Sequence, residues 1–432
     1  MAKIFIITQK EITDTTGGAI TSFKNIADFL CEDNEVYAIC HARTKNIPKL
    51  NNNIKFINLY NKYDELPYKY ALNQFIKEEK PDVIMFFFPD LYANSYLSNE
   101  FDEIPRILLF RSRPDFYFFV HKSTKHLKKQ YKNTIAQVLF PSYIELLPKY
   151  IKKQRVVCIP NPTRTNSEYT PNKTEKKKII YLSRIDCWKG HKFLIKSFAL
   201  IAKKYPDWSL DIYGQSQPPE LKENLKNLVK EMNLENQIHF CGVTKKPFET
   251  YLNYDFCVFP SYFEGFPLGL AESLSLGLPA IGFEGASGVN KLIIENKNGF
   301  LCKENYKDFA SKMEILINNP NLRDEFSKFA IEQMKQYDNL TIKQSWNDLI
   351  TDIVNKEAKY SEFKYFKTPK YKLFSLKKLA KIKKAHSLKK NKNINFAEKL
   401  FSVKIIKEEN STKKIIYILG LKFTIKLGGI NE

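Results

Sequence analysis

Between Phe259 and Gly282 the chain reads Phe-Pro-Ser-Tyr-Phe-Glu-Gly-Phe-Pro-Leu-Gly-Leu-Ala-Glu-Ser-Leu-Ser-Leu-Gly-Leu-Pro-Ala-Ile-Gly, the run that says most about the fold: strand, loop, helix and strand in succession. An apolar strand, Phe256–Phe259, ends in a loop rich in Ser, Gly and Pro. Pro267 suits the first turn of a helix. That helix is predicted to run to about Leu276 and to stop at Gly277, a residue type favoured just past helix ends. A second strand is predicted over Leu278–Phe283. The loop therefore sits at the carboxyl end of a strand, which is where open α/β sheets bind ligands.

Two acids punctuate the run, Glu264 in the loop and Glu272 inside the helix. Gly265 and Gly269 expose backbone, so a ligand can approach main-chain N–H groups closely. The helix N-terminus adds positive potential for an anion. A carboxylate there can accept hydrogen bonds from sugar hydroxyls. A loop charge and a solvated helix face would leave the same two residues, and only their sharing of one glycine-rich loop–helix favours a site.

Glu-Gly-Phe-Pro-Leu-Gly-Leu-Ala-Glu followed by Gly-Leu-Pro resembles the Glu-x7-Glu signature of retaining GT-B glycosyltransferases of the family 4 type. The resemblance implies two Rossmann-like domains facing a cleft. It puts Glu272 on the ribose of a nucleotide-sugar donor. Glu264, Gly265, Phe266, Pro267 and Leu268 would face the sugar and diphosphate. Ser183-Arg184-Ile-Asp-Cys-Trp-Lys189-Gly190 looks like the same family's phosphate loop, with Ser183 replacing a glycine. Taken alone, Arg184 and Lys189 could be two solvated loop charges. At a strand's carboxyl end they can also hold a diphosphate and stabilise its growing charge. Gly17 and Gly18, a pair between the first predicted strand and helix, and Val243 join the donor set on the resemblance. The family often has a histidine near Arg111; here Arg111 stands in its place, and His121 follows ten residues on. Both are candidates for the acceptor side. No Asp-x-Asp triplet of the kind that commonly holds a metal in GT-A transferases occurs. By itself that absence says little, and it is the GT-B resemblance that implies a site with no metal or other cofactor.

The 432 residues suffice for two domains. Residues 1–162 alternate strands with helices, and so do 178–340, which predicts two doubly wound parallel sheets of the α/β class. Strands are read at Lys3–Ile7, Val36–Cys40, Ile54–Leu59, Val83–Phe88, Arg106–Phe110, Ala136–Phe140 and Val156–Ile159, and again from Ile179–Leu182 onward. Phe116–Val120 is a further apolar run of strand length. The polar stretch Thr163–Lys178 reads as a linker. Residues 341–358 pattern as an amphipathic helix with Ile342, Trp346, Leu349, Ile350 and Ile353 on one side, which the resemblance returns to the first domain.

Residues 359–432 hold twenty lysines against five glutamates, and so carry most of the net charge of +22. Leu373, Leu376, Leu379 and Ile382 are interleaved with lysines, a pattern of helices that lie on anionic membrane surfaces, although a solvated basic tail would read alike. Phe401–Ile406 and Ile415–Leu427 flank a polar turn and predict a β-hairpin. No helix-turn-helix, RNA-recognition or zinc motif accompanies the tail, so nucleic acid is not an expected partner. The seven cysteines form no CxxC pair. With no apolar run near 20 residues and no signal peptide read at the start, the expected place is cytoplasmic, peripheral on the inner membrane face. The expected partners are a nucleotide-sugar donor, a glycan or lipid-linked acceptor and an anionic membrane surface. Two other readings stay open. A sugar-nucleotide epimerase on this fold would need no acceptor. A non-catalytic partner would be free to lose Arg184, Lys189, Glu264 and Glu272.

Overall fold

In a computed structural model, residues 1–8, 11–12, 18–44, 47–87, 97–117, 134–153, 155–163, 175–356 and 373–382 are described in full, with the backbone of 118–120 and of three C-terminal strands. The chain forms two compact units, Met1–Phe374 and Ser375–Glu432.

The first unit contains two parallel sheets. One comprises β1 (Lys3–Thr8), β2 (Glu35–Cys40), β3 (Ile54–Asn58), β4 (Val83–Phe87), β5 (Arg106–Leu109), β6 (Thr134–Val138) and β7 (Arg155–Cys158), ordered β3-β2-β1-β4-β5-β6-β7. The other comprises β8 (Lys178–Leu182), β9 (Ser209–Tyr213), β10 (Ile238–Gly242), β11 (Phe256–Phe259), β12 (Ala280–Phe283) and β13 (Gly299–Cys302), ordered β10-β9-β8-β11-β12-β13. Both orders run outward from the first strand in one direction and then reverse, which is the Rossmann winding. Each sheet thus has a crevice at its switch point, between the carboxyl ends of β1 and β4 and of β8 and β11. Helices cover both faces, so central strands such as Val83–Phe87 are apolar and buried throughout.

Helix Asn339–Val354 crosses back to the first sheet. Its Ile342, Trp346, Leu349, Ile350 and Ile353 share one core with Ile4, Phe23, Ile26 and Leu30. Lys343 pairs with Glu32 and Arg155 with Asp352, and Asn347 Nδ2 donates to Asp33 Oδ2 at 3.0 Å. The start of this return lies beside the first crossing: Thr163 N–H donates to the Tyr337 carbonyl at 2.8 Å, and Thr163 bridges Asp338. At the other side of the seam Phe374 joins the domains. Its N–H donates to the Gly285 carbonyl at 2.8 Å, and its carbonyl accepts from Arg113 Nη1 at 2.7 Å.

Several sequence expectations are corrected. Phe116–Val120, the apolar run of strand length, lies in helix Pro114–Val120, which has proline at its first position and Asp115 in its first turn. The strand expected from Leu278 begins at Ala280, because Pro279 has no N–H for the ladder. The edge strand β13, which opens on Gly299, adds a strand that the sequence reading does not name. In the second unit, Ile415–Leu427 is not one strand: β14 (Phe401–Glu408), β15 (Ser411–Ile418) and β16 (Leu421–Leu427) form an antiparallel three-stranded sheet. Residues 376–382 are helical. Leu373, expected on the same basic helix, lies before it in non-helical chain, and the remainder of that expectation falls outside the described residues. None of the described helices is long and apolar enough to cross a membrane.

Candidate active site

The loop after β8 is shaped by its own polar groups. Asp186 Oδ1 accepts from Trp188 N–H at 2.8 Å, and Tyr181 donates its hydroxyl to the Lys189 carbonyl at 2.6 Å. Burial pushes the Tyr181 hydroxyl well above its ordinary pKa, so it stays a donor. Gly190 then turns left-handed, with φ +65° and ψ +21°, and starts helix His191–Ala199. The result aims Lys189 across the switch point: its Nζ lies 2.5 Å from Glu264 Oε1, with the two side chains only 12% and 11% exposed. Arg184 is exposed and loosely held, 3.4 Å from Asp186 and 3.5 Å from Gln217 Oε1.

His191 lies directly beneath this loop, its ring tilted against Tyr181 at 4.8 Å. It is buried, and neither ring nitrogen has a hydrogen-bond partner. Burial, helped by the Lys189 charge, lowers its pKa to about 3. The folded state therefore holds His191 neutral while the unfolded state protonates below about pH 6.5. Stability is full above that pH and is lost as pH falls toward 3, by at most about 1.4 kcal/mol per unit. His191→Phe is expected to flatten this acid limb, as read from urea midpoints between pH 7 and 4. An unchanged pH profile would show that His191 is not the titrating group.

The loop after β11 completes the site. Tyr262 N–H donates to the Trp188 carbonyl at 2.8 Å, tying the two loops together. Ser287 donates to the Glu264 carbonyl at 2.8 Å, and Tyr143, from the first domain, donates to the Gly265 carbonyl at 2.9 Å. Gly265 meets the first domain directly, since a Cβ there would lie 2.3 Å from the Arg111 carbonyl oxygen. Phe266 does not face the crevice. It is buried in the domain seam, stacked on Phe140 at 5.5 Å and edge-on to Tyr337 at 5.3 Å. Phe116, Trp188 and Phe263 form a second aromatic contact across the seam. Pro267, expected in the first turn, instead caps helix Leu268–Ser275 from one residue outside it, in extended backbone. Leu268 is 3.8 Å from the Cβ position of Gly18, so the two domains meet at two helix N-termini. Glu272 is half-buried on that helix, and its charge reaches Tyr251, whose hydroxyl donates to the Gly269 carbonyl at 2.7 Å.

Among the remaining candidates, Val243 is exposed past the carboxyl end of β10. Arg111 is buried at the carboxyl edge of the first sheet. Gly17 and His121 lie outside the described residues. Sequence reasoning missed Tyr143 and Ser287, which hold the Glu264–Gly265 main chain. For Ser287 the available signal was the small-residue loop Gly-Ala-Ser-Gly after β12, at the same edge as the other two loops.

Residues 162–333 match the family model of glycosyl transferases group 1. An uncharacterized glycosyltransferase of Haemophilus influenzae is 32% identical over 200 residues, covering 46% of this chain and 56% of that relative. A Campylobacter jejuni N-acetylgalactosaminyltransferase, named for a diphospho-undecaprenol-linked substrate, is 24% identical over 79% of this chain and 97% of its own length. Among solved structures, the Anabaena protein HepE, in complex with UDP and glucose, superposes with a TM-score of 0.65 at 16% identity, over 82% of this chain and all of that one. The chain therefore has the GT-B fold, and its second Rossmann domain, which carries Lys189, Glu264 and Glu272, matches glycosyl transferases group 1.

Proposed function

We propose that this protein transfers a sugar from a UDP-hexose or UDP-N-acetylhexosamine to a lipid-linked or surface-polysaccharide acceptor, with retention at the anomeric carbon. The observation that carries the reading is the Lys189–Glu264 pair, set where the β8 and β11 loops meet the first domain. Arg184 and Lys189 take the donor diphosphate, Glu272 the ribose, and Glu264 with the Gly265–Leu268 main chain the sugar. The anomeric carbon–oxygen bond breaks with its electron pair moving to the diphosphate. The acceptor hydroxyl oxygen attacks from the same face, and its proton passes to the departing phosphate. Arg184 and Lys189 stabilise the charge that develops there, so the step needs no metal. The acceptor class is supported by the undecaprenol-linked substrate in the Campylobacter relative's name and by the lysine surplus of residues 359–432. Those lysines suit an anionic leaflet at the inner membrane face.

The test is release of free nucleotide from UDP-, GDP-, ADP- and CMP-sugars with EDTA present. Slow release of UDP from one donor, faster with a lipid-diphosphate-linked glycan, is the expected result. Turnover that requires a divalent cation would overturn the metal-free step. Epimerised donor without transfer, or no nucleotide binding at all, would overturn the reading.

A further inference from the structure

Four arginines are buried among the described residues: Arg106, Arg111, Arg113 and Arg323. Three of them pair with a carboxylate, Arg106 with Asp102, Arg113 with Asp115 and Arg323 with Glu175, each at 2.7 Å. Arg111, only 8% exposed, has no acid among its partners. Its Nη1 donates to Gln137 Oε1 at 3.1 Å and its Nη2 to Ser22 Oγ at 2.5 Å, while Nε has no partner. A guanidinium carries five N–H donors, so these two neutral acceptors aim this one without cancelling its charge or using all of its donors. A buried, unpaired cation is costly to keep. The desolvation lowers its pKa to about 9.

The position is informative. Ser22 belongs to the helix that follows β1, and the guanidinium lies 5.6 Å over the ring of Phe87, the last residue of β4. Arg111 is thus at the switch point of the first sheet, where doubly wound folds take their ligands. Its own carbonyl touches Gly265, the neighbour of Glu264. Ser22 donates its hydroxyl proton to Asn161 Oδ1 at 2.7 Å, which turns its lone pairs toward Arg111. The array is built to hold a cation still at the edge of the cleft.

We infer that Arg111 receives a carboxylate or phosphate group carried by one of the two sugar substrates, an inference that rests on the sugar-transfer reading of the cleft. Two oxygens of such a group can take the unused N–H donors as a fork. The anion comes either with the donor, a hexuronate then standing in place of the neutral hexose proposed above, or with the acceptor, as an acidic or phosphorylated sugar.

Two titrations at fixed ionic strength separate these sources. In the donor arm, calorimetry compares UDP-glucuronate with UDP-glucose. In the acceptor arm, with UDP saturating, methyl glucuronoside and inorganic phosphate are compared with methyl glucoside. One arm is expected to favour the anionic probe at least tenfold, with the preference lost in Arg111→Gln and partly kept in Arg111→Lys. Equal binding of anionic and neutral probes in both arms would overturn the inference, as would a preference that survives Arg111→Gln. If Arg111→Gln does not fold, the wild-type comparison and Arg111→Lys decide alone. UDP affinity is a separate readout: its absence defeats the sugar-transfer reading, whereas UDP binding without anion preference defeats only the role of Arg111.

Discussion

Lys189→Met is expected to lower sugar transfer by about 10²–10³-fold, the usual cost of removing one fixed charge-stabilising donor from a reacting centre. The stability cost has a different origin. Lys189 and Glu264 are both largely buried, so removing the lysine strands a carboxylate, at about 3 kcal/mol. Lys189→Met/Glu264→Gln removes both charges and is expected to recover much of that stability without recovering the rate. Thermal midpoints and kcat for the two variants separate the effects. Full activity in a well-folded Lys189→Met would remove this lysine from the chemistry, and with it the assignment of the site.

Gly190→Ala is expected to cost about 3 kcal/mol and to abolish UDP binding. The added Cβ would lie 2.1 Å from the Pro260 carbonyl oxygen and 3.1 Å from its carbon, in a left-handed conformation that L residues resist. Main chain cannot rotate away as a side chain can, so the loops after β8 and β11 must separate. Lys189 and Glu264 would then lose their common position. Gly242→Ala is the control. It has a similar φ of +77° but nothing within 4 Å of the new Cβ, so only the conformational cost of roughly 1 kcal/mol applies. Urea denaturation and calorimetry with UDP measure both variants. Equal costs at the two positions would show that the Pro260 contact does not matter.

Much of this architecture is legible in the chain because parallel strands are buried on both faces. Runs such as Val83–Phe87 and Phe256–Phe259 stand out as unbroken apolar segments between turn residues. The loop residues of the candidate site are legible only as a pattern: taken singly, Arg184, Lys189, Glu264 and Glu272 could be solvated charges, and their spacing with the neighbouring glycines is what resembles a family signature. What stays hidden is direction. Phe266 belongs to the same motif as Glu264, yet its side chain turns into the domain seam, because Phe140 and Tyr337 offer it an aromatic slot from distant parts of the chain. Tyr143 is equally silent in sequence, being one more tyrosine in a short turn until the second domain brings the Gly265 carbonyl to it. Phe116–Val120 is ambiguous because five apolar residues fit a strand or a helix, and the preceding proline and aspartate favour the helix.

The chain passes between the two Rossmann domains at Thr163 and again near Asp338, and these passages are bonded to each other. Two crossings bonded side by side leave one place at which the chain itself can bend between the domains. Opening the cleft there also requires breaking, on the other side of the seam, the hydrogen bonds that Phe374 makes with Gly285 and Arg113. Tyr337 lies beside the crossings and touches Phe266. The crossings are thus packed against the loop that carries Glu264.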